Sequence, residues 1–148
     1  MNLVKHILDD ARKRLAVLDR GAPVCDAAAI LTDKNTPLVI VCDGEGCAVG
    51  VVSSTDIVKV FARARGEAAR STAGAVMTSP FLSCDENRSL QSLWTTLSER
   101  NLRSIPVLDE AGKPLGIVYA RDLARALLDE VTHEELLLRD YVLGIGYQ

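Results

Sequence analysis

The chain has 148 residues, a formal net charge of −3 and four cysteines. A chain of this length buries roughly 70% of the surface that its unfolded form exposes, enough for one core or for two fused half-cores. Its acidic balance argues against a nucleic-acid partner, whose binding surface would be basic, and the lack of a secretory core or of a run near the roughly 20 apolar residues of a membrane span predicts a cytoplasmic protein with no membrane partner.

Residues 2 to 13 set Leu3, Val4, Ile7, Leu8 and Ala11 on one side of a short amphipathic helix. Leu15 to Leu18 reads as a strand, ended by the turn-forming Asp19-Arg20-Gly21-Ala22-Pro23. A helix starts at Asp26, carries Ala27 to Leu31, runs to about Asn35 and is closed by Pro37. Leu38 to Cys42 is apolar throughout and predicts a strand buried on both faces. Asp43-Gly44-Glu45-Gly46 turns a hairpin, and Ala48 to Ser53 returns along it. Ser53, Ser54 or Thr55 then caps a helix from about Thr55 to Ala64.

Gly66 to Gly74 is small, polar and charged, which reads as a linker. Beyond Ala75-Val76-Met77 and the breaker Thr78-Ser79-Pro80, the same order returns. Phe81 to Cys84 reads as a strand and Ser89 to Asn101 as a helix with Leu90, Leu93, Trp94 and Leu97 inward. Ser104 to Leu108 and Leu115 to Val118 read as a hairpin, followed by a helix after Asp122. Thr132-His133-Glu134-Glu135 resembles a capping box that opens a last helix over Leu136, Leu137, Leu138 and Tyr141.

A single gapless shift relates the two halves. Asp56 falls on Asp122 (122 − 56 = 66), and the same shift superposes Gly50 on Gly116, Leu31 on Leu97, Asn35 on Asn101, Val41 on Val107, Asp43 on Asp109 and Gly46 on Gly112. The chain is thus a duplication, with a first unit at 1–65, a linker at 66–74, a second unit at 75–131 and a C-terminal helix and tail at 132–148. In each copy a glycine opens an apolar strand, and an acid stands in the first turn of the next helix. An acid there is also stabilised by the helix start alone, by about 0.3–1 kcal/mol, and Ser53 serves equally as a cap.

The cysteines Cys25, Cys42, Cys47 and Cys84 form no CxxC pair, so no metal site is expected, and no combination of residues suggests catalysis. Cys42 and Cys47 flank one hairpin turn, which leaves a thiol redox sensor as an alternative.

The motifs Ala75-Val76-Met77-Thr78, Ser104-Ile105-Pro106-Val107-Leu108-Asp109 and Gly116-Ile117-Val118 with Asp122 resemble those of CBS domains, the βαββα units that act in pairs as adenosyl-ligand sensors. In the first copy the matching residues are Leu38 to Asp43 and Gly50 to Ser53 with Asp56. The resemblance implies an α/β fold of two pseudo-symmetric units packed through their sheets, with an extra C-terminal helix. It implies a non-catalytic regulatory module, forming a homodimer, that binds AMP, ADP, ATP or S-adenosylmethionine in the inter-repeat clefts and signals to a regulated protein in trans. No cofactor is required.

By the same resemblance Asp56, with Ser53 and Thr55, holds a ribose and faces Arg103, Ser104, Ile105 and Pro106 together with Met77 and Thr78, and Arg103 is a phosphate partner. The second cleft pairs Asp122, Tyr119 and Arg121 with Thr36, Pro37, Leu38 and Ile40. Tyr119 stands where the family pattern has Ser or Thr, so the Asp56 cleft ranks first. A structural or protein-interaction module with degenerate clefts is the further alternative.

Overall fold

A strand that is apolar at every position is stable only where both faces are covered, and Leu38–Cys42 is buried at all five positions. In the computed structural model, which describes residues 2–146, this strand (β2) is the middle of a three-stranded sheet. Val17–Asp19 (β1) runs parallel to it, and Ala48–Ser53 (β3) antiparallel. Ser104–Leu108 (β4) and Pro114–Tyr119 (β5) form the matching antiparallel pair. The strand expected at Phe81 to Cys84 is reduced to one parallel bridge, Cys84 with Val107, which is the counterpart of the Leu18–Val41 pairing in the first sheet.

The helices are α1 (Leu8–Lys13, preceded by a 3-10 turn at Val4–Ile7), α2 (Val24–Asp33), α3 (Ser54–Ala64), α4 (Ala73–Val76), α5 (Leu90–Glu99) and α6 (Ala120–Gly146). The duplication extends to the backbone. Val41 opposes Gly50 as Val107 opposes Gly116, and the register shifts one residue later in both hairpins. Positive φ recurs at Asn35 (49°) and Asn101 (53°), and at Gly46 (85°) and Gly112 (83°). Asp43 and Asp109 each accept two turn N–H groups, from Glu45 and Cys47 and from Ala111 and Lys113.

Two stretches differ from the sequence reading. The linker at residues 66–74 carries structure of its own: Arg65–Arg70 makes a 3-10 turn, Ala68 is fully buried, and the Ser71 carbonyl accepts from the Val24 N–H at 2.8 Å. The small alanines that suggested a linker are what let this segment pack closely. The expected separate last helix is instead the end of α6, because no glycine or proline stands between Asp122 and Gly144 to stop it. Tyr147 and Gln148, at the end of the expected tail, lie outside the described residues.

Each unit lends its leading helix to the other. Val4, Leu8 and Ala11 share a core with Leu90, Leu93, Leu97, Ile105 and Val118, so α1 belongs to the second sheet. Ala73 and Met77 pack with Ala27, Val41 and Val52 of the first. A Cβ at Gly116 would stand 2.6 Å from the Ala11 carbonyl carbon, and one at Gly50 would stand 2.7 Å from Met77 Cγ. Ala11 and Met77 are themselves equivalent under the shift of 66, so the exchange is symmetric. A third cluster joins the units directly, with Leu31, Val39 and Ile40 against Ile117 and Tyr119. Among the described residues no helix is long and apolar enough to cross a membrane.

Candidate functional site

The two clefts lie where β3 gives way to α3 and where β5 gives way to α6. At the first, Ser53 keeps an extended backbone (φ −112°, ψ 170°) and caps α3. Its Oγ accepts the Asp56 N–H at 3.3 Å, and Asp56 Oδ2 accepts the Ser53 N–H at 2.8 Å and its hydroxyl at 3.0 Å. The other oxygen, Oδ1, accepts the Thr78 hydroxyl at 2.9 Å. Thr78 is held against β3 by a two-way backbone pairing with Val51, at 2.8 and 3.1 Å. Asp56 thus accepts one hydroxyl on each oxygen, from opposite repeats.

Three cavities adjoin these helix starts. One of about 330 Å³ is lined by Asp56, Met77 and Thr78 with Lys59 and Arg63 of α3. A second, of about 280 Å³, is lined by Ser53, Ser54, Thr55, Pro37, Leu38, Arg103 and Ser104. The largest, about 420 Å³, lies over Tyr119 and Arg121 and is bordered by Asn35, Thr36, Pro37, Ser54 and Arg103. The second and third share Pro37, Ser54 and Arg103, so they are parts of one inter-repeat groove. Arg103 and Arg121 form no ion pair among the described residues, where the pairs are Arg12–Asp9, Arg14–Asp122 and Arg70–Glu67.

The second helix start is built differently. Asp122 turns to Arg14, whose Nε and an Nη donate to its two oxygens at 3.2 and 3.4 Å, and only 8% of the Asp122 side chain remains exposed. The guanidinium also lies over the Tyr119 ring, 4.6 Å from its centroid, a cation–π contact. The hydrogen bond to Asp122 raises the Arg14 pKa above its usual value, against the lowering effect of burial. Tyr119 is buried, and its hydroxyl donates to Thr36 Oγ1 at 2.7 Å. The Thr36 hydroxyl in turn donates to the Leu38 carbonyl at 3.1 Å.

The sequence-predicted residues are therefore only partly brought together. Ser53, Thr55, Arg103, Ser104 and Leu38 meet in one cavity, while Asp56, Met77 and Thr78 meet in its neighbour, with the Ser53–Asp56 hydrogen bonds between them. Thr36, Pro37, Tyr119 and Arg121 meet in the third. Asp122 lines none of the three, because Arg14 holds it. Ile40 and Ile105 lie in the core, 0% and 1% exposed, Pro106 is buried in β4, and none of the three lines these cavities.

Reasoning from the sequence missed Arg14, Ser54, Lys59 and Arg63. Lys59 was signalled by Arg125 at the shifted position, a basic residue in both copies. Arg14 had no such signal, since Pro80 is its counterpart.

The model of the CBS domain matches the chain twice, at residues 4–63 and 73–129. An uncharacterized 17.7 kDa protein of Acidianus ambivalens is 29% identical over 136 residues, 92% of this chain and 81% of its own length. The chain also spans 23% and 25% of the length of two longer curated relatives. Among solved structures, the CBS domain pair of protein MJ0100, in complex with 5′-methylthioadenosine and S-adenosyl-L-methionine, superposes with a TM-score of 0.73 at 25% identity, over 88% of this chain and 98% of that one. CBSX2 in complex with AMP gives a TM-score of 0.73 at 27% identity, over 87% and 98%. With both repeats matched by the family model and the paired fold shared with these structures, the chain belongs to the CBS domain family, as a tandem pair.

Proposed function

We propose that the chain is a non-catalytic regulatory module that binds an adenosyl ligand, an adenine nucleotide or S-adenosylmethionine, at the Asp56 cleft and passes the event to a protein in trans. The observation that carries this reading is the pair of hydroxyls on Asp56. Ser53 and Thr78 donate to its two oxygens as the 2′ and 3′ hydroxyls of a ribose would, in charge-assisted geometry. The related structures, one with AMP and one with 5′-methylthioadenosine and S-adenosyl-L-methionine, support the adenosyl class.

A ribose arriving at Asp56 displaces the Thr78 hydroxyl. Thr78 follows α4, the helix that the second unit lends to the first, so the exchange alters a contact between the units. A state with that contact open is favoured by the ligand to the extent of its differential affinity, and this shift is what a partner reads.

The test is thermal melting with AMP, ADP, ATP, 5′-methylthioadenosine and S-adenosylmethionine. A ligand at 100 times its Kd adds about 2.7 kcal/mol, which moves the midpoint of a chain this size by roughly 5–10 °C. Asp56→Asn, which keeps an acceptor for the cap but loses the charge, is expected to abolish the shift. If no ligand moves the wild type, the reading falls.

The closed second helix start favours the alternative of an interaction module with degenerate clefts, and the same experiment separates the two. The thiol-sensor alternative has less behind it: burial pushes the Cys42 thiol pKa up and the Cys84 thiol up to about 12, which keeps both in the unreactive protonated form.

A further inference from the structure

The homodimer that the resemblance implies leaves open which faces meet. We propose that α3 of one copy packs against α6 of a second copy, and the reverse, so that unlike units face each other across the pair. The large apolar side chains left exposed on helices, among the described residues, all belong to these two elements. On α3 they are Val58 and Phe61, and on α6 a row at helical spacing runs through Leu128, Val131, Leu138 and Val142. The duplication makes α3 and the start of α6 equivalent, yet α3 has 11 residues and α6 has 27. From Val131 to Asp140 every residue of α6 is exposed, so its own chain covers no side of this stretch. A lone helical stretch of that length is marginal in water and is held by packing its apolar face.

Each row carries one charge, and the two signs are opposite. On α3 the row ends at Arg65, the residue that closes the helix. On α6 Glu135 stands in the row between Val131 and Leu138. Both residues are exposed, and neither belongs to an ion pair among the described residues. A charge enclosed in an apolar contact needs a partner, and each row offers the one the other lacks. The spacings agree as well. Phe61 and Val58 lie four and seven residues before Arg65 (65 − 61 = 4, 65 − 58 = 7). Val131 and Leu128 lie four and seven before Glu135, and Leu138 and Val142 three and seven after it. An Arg65–Glu135 contact therefore lays Phe61 and Val58 on apolar residues whichever way the two helices run.

Like against like serves less well. Pairing α6 with its own copy leaves Val58 and Phe61 uncovered and brings two Glu135 rows together, and pairing α3 with α3 brings two Arg65 rows together. The repeat adds a difference in size, since Val58 and Ala62 stand where α6 has Ala124 and Leu128 (58 + 66 = 124, 62 + 66 = 128), large for small and small for large. A two-fold axis makes the α3–α6 contact twice and closes the pair.

Sedimentation velocity of the full chain, with no ligand added, measures the dimer dissociation constant of the wild type, Arg65→Glu, Glu135→Arg, Phe61→Lys and the double variant Arg65→Glu with Glu135→Arg. All three positions are exposed, so far-UV circular dichroism should stay unchanged. Each single substitution alters both contacts of the pair and is expected to weaken it at least about tenfold, and the double variant to return to within about threefold of the wild type. A monomeric wild type overturns the proposal, as does a double variant no tighter than the single ones. Weakening by Glu135→Arg alone, with Arg65→Glu and Phe61→Lys matching the wild type, overturns it in favour of α6 pairing with its own copy.

Discussion

An acid in the first turn of a helix gains about 0.3–1 kcal/mol from the free N–H groups there, at Asp56 and Asp122 alike. What separates the two residues is the partner that the rest of the chain brings to them. Asp56 receives two hydroxyls, each a neutral donor that a competing diol can replace. Asp122 receives Arg14 from 108 positions away in sequence, and its side chain is 92% shielded, the complement of its 8% exposure. Removing one member of a hydrogen-bonded charge pair leaves the other unsatisfied, so Arg14→Ala is expected to destabilise the fold by about 1–3 kcal/mol. Urea unfolding measures this, and Arg14→Ala combined with Asp122→Asn should recover part of the loss. If the double variant is as unstable as the two single losses added together, the residues are not coupled and the closed cleft has another origin.

At the scale of elements, the exchange of α1 and α4 makes two glycines unequal in a measurable way. A methyl group at Gly116 meets the Ala11 backbone, with the carbonyl carbon and oxygen at 2.6 and 2.7 Å, and backbone inside a packed core has nowhere to go. At Gly50 the obstacle is chiefly the flexible end of Met77. Gly116→Ala is expected to cost about 1–3 kcal/mol and Gly50→Ala clearly less, read from urea midpoints. The hairpin strands were legible in the sequence because uniform burial and glycine turns write themselves into composition, as at Leu38–Cys42 and Gly46. The exchange was not. A repeat establishes that Ala11 and Met77 are equivalent, but equivalence is unchanged when both helices trade cores. Nor does any local pattern announce that Arg14 meets Asp122, or that α6 ignores the cap-like Thr132, since those outcomes depend on distant packing and on the absence of a breaker.

For the molecule as a whole, the apolar surface is unevenly spread. On α6, Leu128, Val131, Leu138 and Val142 recur at steps of three, seven and four residues, so they share one helical face. They are 66%, 51%, 64% and 59% exposed, while Leu136 and Leu137, at 51% and 55%, fall on other sides of the same helix. An exposed apolar row along one face of a helix about 40 Å long is the kind of surface that marks an interaction site. Together with Val58 and Phe61 of α3, 66% and 42% exposed, it supports a homodimer joined through helical faces. Sedimentation equilibrium is expected to give twice the 16.0 kDa chain mass. Leu128→Lys with Leu138→Lys, on a face remote in sequence from Asp56, should shift the population to monomer while leaving the ligand-induced melting shift in place. A wild-type chain that sediments as a monomer at tens of micromolar would sink the dimer. A double variant that becomes monomeric and also loses the nucleotide would mean that the cleft depends on the second copy, so ligand and assembly would be linked, and by mass action the nucleotide would then stabilise the dimer to the same extent that the dimer stabilises nucleotide binding.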